Sequence, residues 1–295
     1  MKTTLALLAG LTLVFACTAC AEVAPAPKAA AENPGPALYE KGFITSDTTW
    51  SGEVHIRGKV LVKHGVTLTI LPGTAVKFLW SDENKDDIGD GELNCEGRLI
   101  AKGTKDKPII FTSGQPTPKK KDWTFVMVTL NKDSALEYCT FEYAFTGLQV
   151  HFSTATVRNC TIRNNFEGLR FSTTTAQIEH NVFLDNTYGI RYEAHGSRTT
   201  VAYNVFKGND YALFLPGNCS STVKIHDNDI TDSVKYNVNM GSNQRMDVDY
   251  AGNWWGTTDK SAIEDAIFDK QKDDTLGRVI FEPYLDKPAA GAGIM

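Results

Sequence analysis

Long apolar runs, surplus positive charge and helical periodicity are all scarce in this chain, and each shortage removes a class of protein. Leu5 to Ala16 is the pronounced apolar run, and it is shorter than the ~20 residues a membrane-crossing helix needs. Lys and Arg number 30 against 35 Asp and Glu, a formal charge of −5 with a pI near 5.7. No bulk attraction to nucleic acid or to an anionic membrane surface follows from that balance, and nucleic-acid binding is not expected. The chain shows no nucleophile triad, no phosphate-cradling glycine loop and no Cys/His metal spacing.

What is present is a repeat. Segments starting at Leu136, Val157, Ile178, Val201 and Ile225 align residue by residue at spacings of 21, 21, 23 and 24, in the range of stacked repeat architectures. Position one is always aliphatic, and position six is Phe141, Ile162, Phe183, Phe206 and Ile230. Positions thirteen (Leu148, Leu169, Ile190, Leu213) and fifteen (Val150, Phe171, Tyr192, Leu215) lie two apart, the period of a strand with one buried face. A unit this short, without a 3.6-residue apolar pattern or Leu-x-x-Leu-x-Leu spacing, excludes helix-pair and leucine-rich repeats. It fits one turn of a three-sided parallel β-helix, with coils ~4.8 Å apart.

The turns agree. Position four is Cys139, Cys160, Asn181, Asn204 and Asn228, and position nine includes Asn165, Asn186 and Asn209. Stacked Asn side chains can form a hydrogen-bonded ladder and tolerate the left-handed backbone of a sharp corner. Gly147, Gly168 and Gly189 at position twelve are expected to supply another corner. Upstream, Val54–Ile56, Val60–Val62, Val66–Ile70, Val76–Phe78, Leu99–Ala101 and Ile109–Phe111 alternate in the same way between glycines, and read as earlier coils.

The ends read differently. Lys2, the apolar run and the small residues after it form an export signal over 1–20. Val14-Phe-Ala-Cys17 and Cys17-Thr-Ala-Cys20 each resemble a lipobox, so Cys17 or Cys20 is the expected lipid attachment site; soluble secretion after Ala19-Cys20-Ala21 is the alternative. Residues 21–37, rich in Ala and Pro, form a tether, residues 38–288 the β-helix with its caps, and 289–295 a tail. Leu38 to Trp50 is expected to cover the amino-terminal end of the stack. At the other end Ser261-Ala-Ile-Glu264 reads as a capping box opening a helix with Ile263 and Ile267 on one face, and Trp254 and Trp255 read as cap packing. Export permits disulfides, yet Cys139 and Cys160 sit in the inward ladder as buried thiols, with a bond between them geometrically feasible.

Three strings make the reading specific: Gly65-Val-Thr-Leu-Thr-Ile-Leu-Pro-Gly73-Thr, Gly97-Arg-Leu-Ile-Ala-Lys-Gly103-Thr with Pro108-Ile-Ile-Phe-Thr-Ser113, and Gly252-Asn-Trp-Trp-Gly-Thr. Together with Asp273 to Tyr284 they resemble the right-handed parallel β-helix repeat family of bacterial surface proteins, of the pectate-lyase-like superfamily, over residues 50–285. The resemblance implies an all-β, right-handed solenoid of roughly ten coils. It leaves function open, because that superfamily includes lyases, hydrolases, epimerases, adhesins and plain scaffolds.

Candidate sites lie where the repeats disagree. Position fourteen gives Gln149, Arg170, Arg191 and Phe214; position three gives Tyr138, Asn159, His180, Tyr203, Asp227 and Tyr250. In stacked coils each set is expected to form an outward row, and Arg, His and aromatic rows suit acidic or neutral sugars. Asp82, Asn84, Asp86 and Asp90 alternate like the first oxygen ligands of a calcium loop, although Asp87 stands where that loop wants glycine and Leu93 where it wants Glu. A solvated acidic insertion is the competing reading. Asp227 and Asp229 could stand at glycosidase spacing, and Ala194-His195-Gly196 reads as a turn.

The expectation is a monomeric, non-catalytic cell-envelope lipoprotein, held in the outer membrane or at the cell surface by its lipid alone. It would act as a scaffold or bind polysaccharide or an envelope protein, with no cofactor beyond a calcium ion at the acidic loop. The alternatives are a periplasmic or secreted protein, and a carbohydrate-active enzyme, lyase or hydrolase, on the same fold.

Overall fold

Buried and exposed residues alternate along almost every strand, as a pleated strand with one dry face requires. Glu53–Val62, for example, buries Val54, Ile56, Val60 and Val62 and turns His55, Arg57, Lys59 and Leu61 outward. The computed structural model describes residues 36–295 except 194–195, 218 and 220–221. Cys17, Cys20, the leader, His195 and nearly all of the tether lie outside the described residues.

The strands wind into a three-sided parallel β-helix. One face is an eight-stranded parallel sheet that runs from Thr48–Trp50 through Thr67–Ile70, Arg98–Lys102 and Ser134–Glu137 to Lys224–His226. The second face carries Ala75–Leu79, Ile109–Ser113, Cys139–Glu142, Thr161–Arg163, Val182–Leu184 and Val205–Lys207. The third carries Glu92–Cys95, Trp123–Thr129, Ala144–His151, Glu167–Ser172, Tyr188–Glu193, Tyr211–Gly217 and Tyr236–Asn243. The second and third faces join into one 17-stranded sheet because Ala37–Ile44 and Glu53–Val62 cross the corner between them unbroken.

The sequence repeat is the coil repeat. Leu136, Val157, Ile178, Val201 and Ile225 are successive register partners, and so are Phe141, Ile162, Phe183, Phe206 and Ile230. Both sets are buried. Phe111 stacks on Phe141 at 4.7 Å and Phe183 on Phe206 at 4.7 Å, and each buried ring of this size contributes about 1.5–3 kcal/mol.

Both Asn ladders form. Asn181, Asn204, Asn228 and Asn253 each accept the backbone N–H of the ladder residue one coil earlier at 2.9–3.0 Å, starting from Cys160. Asn165, Asn186 and Asn209 do the same at the next corner, at 2.9–3.1 Å. The left-handed backbone falls elsewhere than expected: it belongs to the residue before each ladder position. Tyr138, Asn159, His180, Tyr203 and Asp227 have φ of 48–58° at one corner, and Tyr143, Asn164 and Asp185 have 54–67° at the other. That twist turns the following side chain inward, where the amide pairs with the coils on either side.

Position twelve is also not a corner. Gly147, Gly168 and Gly189 lie within strands and outside the left-handed region. They are glycines because coils touch there: a Cβ on Gly168 would stand 2.6 Å from the Gly189 carbonyl oxygen. Cys95, Cys139 and Cys160 are buried free thiols and Cys219 is buried as well, and burial pushes the Cys139 thiol well above its usual range.

Leu38 to Trp50 lies over the amino-terminal end as a coil in its own right. Ala37–Ile44 pairs in parallel with Glu53–Val62, and Thr48–Trp50 with Thr67–Ile70. At the other end the helix Lys260–Asp265 is capped by Asp259, whose carboxylate accepts the Ser261 N–H at 3.0 Å, so Ser261 is not the N-cap. Ile263 is buried from that helix, while Ile267 belongs to the next strand. Trp255 is buried against Phe281, as cap packing requires.

Candidate functional site on the third face

Parallel register brings Gln149, Arg170, Arg191 and Phe214 into one outward row on the third face. The two arginines do not stand free. Arg191 donates to Glu167 at 2.7 Å and to Glu193 at 3.2 Å, and Arg170 lies 3.5 Å from Glu193. Glu167 is only 1% exposed, and its second oxygen accepts the Thr146 hydroxyl at 2.8 Å. A carboxylate this enclosed needs partners that compensate the lost hydration.

His151 closes the cluster one coil earlier. Its Nδ1 is 2.8 Å from the Ser172 hydroxyl and its Nε2 3.2 Å from the Gln149 carbonyl oxygen. Burial first, and then the Arg170 charge, lower its pKa to about 4, so the ring is neutral near pH 7. With two guanidiniums matched by two carboxylates, the cluster has no net charge.

Beside this row runs an aromatic ladder that the position-fourteen and position-three comparison misses. Phe145 and Phe166 are 5.1 Å apart, Phe166 and Tyr188 5.5 Å, Tyr188 and Tyr211 5.3 Å, Tyr211 and Tyr236 6.4 Å, and Tyr236 and Phe268 5.4 Å. Phe214 joins the row from the arginine side, 4.7 Å from Tyr188. All of these rings are partly exposed. The signal was in the sequence: positions ten and eleven of the repeat hold an aromatic residue in each coil from Phe145 to Tyr211.

Lysines border the ladder's far side. Lys121 stands 4.6 Å over Phe166, Lys235 5.1 Å over Tyr211 and Lys272 5.8 Å over Tyr236, within cation–π range. Lys120 reaches from the loop after Ile109–Ser113 to the Thr187 hydroxyl at 3.3 Å. Burial lowers its pKa, opposed by Asp210 and Asp185.

His180 and Tyr203 belong to a different place. They stack at 5.1 Å with rings nearly parallel, but on a corner that the tail covers rather than on an open row. His180 Nδ1 meets the Gly291 carbonyl at 2.9 Å, and Gly293 N–H donates to the Tyr203 carbonyl at 2.8 Å. Met295 N–H donates to Asn159 Oδ1 at 3.0 Å, and Tyr138 donates to the Met295 carbonyl at 3.3 Å. The tail also takes the Asp229 carboxylate, which accepts the Ala289 N–H at 2.7 Å, while Asp227 is held by His226. Tyr250, aligned with this row, points inward and shares a buried hydroxyl–hydroxyl hydrogen bond with Tyr192.

The family described as right handed beta helix region matches residues 111–206, and that described as pectate-lyase like beta helix domain matches residues 42–135. The chain carries right-handed, pectate-lyase-like β-helix domains. No curated protein and no solved structure matches it.

The acidic loop of this β-helix uses its carboxylates on itself. Asp82 accepts the N–H groups of Asp86 and Asp87, each at 3.1 Å; Asp90 accepts that of Glu83 at 2.8 Å. Asp86 accepts the Ile88 N–H and the Asn84 amide, both at 2.9 Å. Asp87, where a calcium loop places glycine, does adopt a φ of 61°. Among the described residues no group of three or more His, Cys, Asp or Glu side chains is arranged to hold a metal ion. A surface concavity of about 370 Å³ lies around the corner, lined by Leu130, Phe152 and Thr173 with Lys132 as its one charge. The third face has a different chemistry, with phenol hydroxyls on one side and fixed, mutually neutralised Arg–Glu pairs on the other.

Proposed function

We propose that this protein is a non-catalytic cell-envelope scaffold whose third face binds a neutral polysaccharide. The observation that carries the reading is the ladder from Phe145 to Phe268 beside the neutralised Arg170–Arg191–Glu167–Glu193 cluster. Rings stacked on one another present edges and hydroxyls rather than bare faces. Tyr188, Tyr211 and Tyr236 therefore offer a row of donors and acceptors at the coil repeat, suited to a hydroxyl-rich chain. Because Glu167 and Glu193 occupy the guanidiniums, the arginines hold little in reserve for a polyuronate. An apolar leader ending near Cys17 and Cys20, followed by an Ala/Pro tether, supports export and attachment through a lipid at one of those cysteines.

The test is affinity electrophoresis against neutral and uronate polysaccharides, with ultraviolet detection of unsaturated products. Retention by a neutral polymer that is insensitive to salt and is weakened ~10-fold in Tyr211→Ala, the loss of about one good contact, is expected. Retention by uronates alone, or release of unsaturated products, would overturn the reading.

A further inference from the structure

The first coil presents a strand edge that nothing among the described residues covers. Ala37–Ile44 pairs on one side with Glu53–Val62 and Thr48–Trp50 on one side with Thr67–Ile70; the other edge of each is open. Open edges template the addition of further strands. We propose that this end is the contact between two copies of the chain, joined head to head by antiparallel pairing of Ala37–Ile44 with itself.

The sequence of that strand, Ala-Leu-Tyr-Glu-Lys-Gly-Phe-Ile, is self-complementary about its centre. Reversed on a second copy, Glu40 stands opposite Lys41, Leu38 opposite Phe43, Tyr39 opposite Gly42 and Ala37 opposite Ile44. Register with the next coil shows which way each residue faces. Leu38, Glu40 and Phe43 align with the outward His55, Arg57 and Leu61, while Ala37, Tyr39, Gly42 and Ile44 align with the buried Val54, Ile56, Val60 and Val62. Leu38 with Phe43, Tyr39 with Gly42 and Ala37 with Ile44 therefore each place like-facing residues together.

Leu38 and Phe43 are 50% and 65% exposed, so pairing covers two apolar side chains per copy. The register irregularity between Glu40 and Gly42 would guard a lone edge, but in this arrangement it sits on the two-fold axis and meets its own copy. Lys41 reaches Glu83 and Glu40 reaches Arg57 within the chain; these pairs are exposed and free to be shared across the axis. Such an isologous dimer departs from the monomer expected from sequence.

Sedimentation of the full chain, with and without Phe43→Glu, and mixing of Leu38→Cys with Phe43→Cys variants under oxidising conditions test this. The native Cys95, Cys139, Cys160 and Cys219 are buried, and each single variant controls for background cross-links. The expected results are a dimer, ~10-fold weaker self-association in Phe43→Glu, and cross-links in the mixture far above either variant alone, since opposed Cβ atoms lie ~5 Å apart. A monomer at micromolar concentration, or equal cross-linking in mixed and single samples, overturns the proposal.

Discussion

Arg191 and Glu167 sit on neighbouring coils with guanidinium and carboxylate 2.7 Å apart, and the carboxylate is sealed from solvent. The pair places a desolvated charge in the wall of the solenoid, so each partner depends on the other. Removing one costs far more than removing both, because the survivor is left desolvated.

Arg191→Met alone is therefore expected to destabilise the fold by about 3–5 kcal/mol, and the double variant Arg191→Met/Glu167→Leu by much less. Urea unfolding of the four-member cycle measures the difference. Equal losses in the single and double variants would show that Glu167 finds other compensation.

Asn204→Ala removes the acceptor for the Asn181 N–H and the donor to the Ile178 carbonyl, all within the buried ladder. At about 1–3 kcal/mol for each orphaned group, a loss of about 2–6 kcal/mol is expected. Faster hydrogen exchange at the Asn181 backbone amide should accompany it, since that N–H loses its acceptor on the ladder.

His151 makes the fold sensitive to acid. Its folded pKa of about 4 lies below the ordinary histidine value of 6.5, so the unfolded chain binds more protons between those values and stability falls as pH drops through that window. The full linkage amounts to about 3 kcal/mol, reduced by the ring's residual solvent access. His151→Gln should flatten the difference in thermal midpoint between pH 7 and pH 4; an unchanged slope would assign the acid sensitivity to other groups.

Gly168→Ala is expected to cost about 1–3 kcal/mol through overpacking, since its Cβ would meet the Gly189 carbonyl oxygen at 2.6 Å. Ala212→Gly, at the aligned position where a Cβ is already accommodated, should cost under about 1 kcal/mol. Thermal melts of the two compare the same repeat position in crowded and open coils.

How legible each feature was follows from its range. The buried positions Leu148, Leu169 and Ile190 and the ladders through Asn181 and Asn165 recur at the coil spacing, so a single chain read against itself exposes them. The row through Arg170 and Arg191 was found in the same way. Its neutralisation by Glu167 and Glu193 was not, because those carboxylates occupy other repeat positions and meet the arginines only when coils stack. The aromatic ladder was readable at positions ten and eleven, but its continuity from Phe145 to Phe268 depends on variable turns that keep the register.

By itself the sequence determined the parallel β-helix, its inward residues and its amide ladders, because a solenoid's core is a local pattern repeated and each coil needs only its neighbours. Only the tertiary structure decided which outward rows stay open. His180 and Tyr203, which look like a surface row in sequence, lie beneath Gly291 and Gly293 of the tail, far along the chain. The corner twist likewise went to the residue before each Asn, since burial claims the amide and leaves the strained backbone to its neighbour. Contacts between the tail and the coils, and between Arg191 and Glu167, have no period, and so no repeat could announce them.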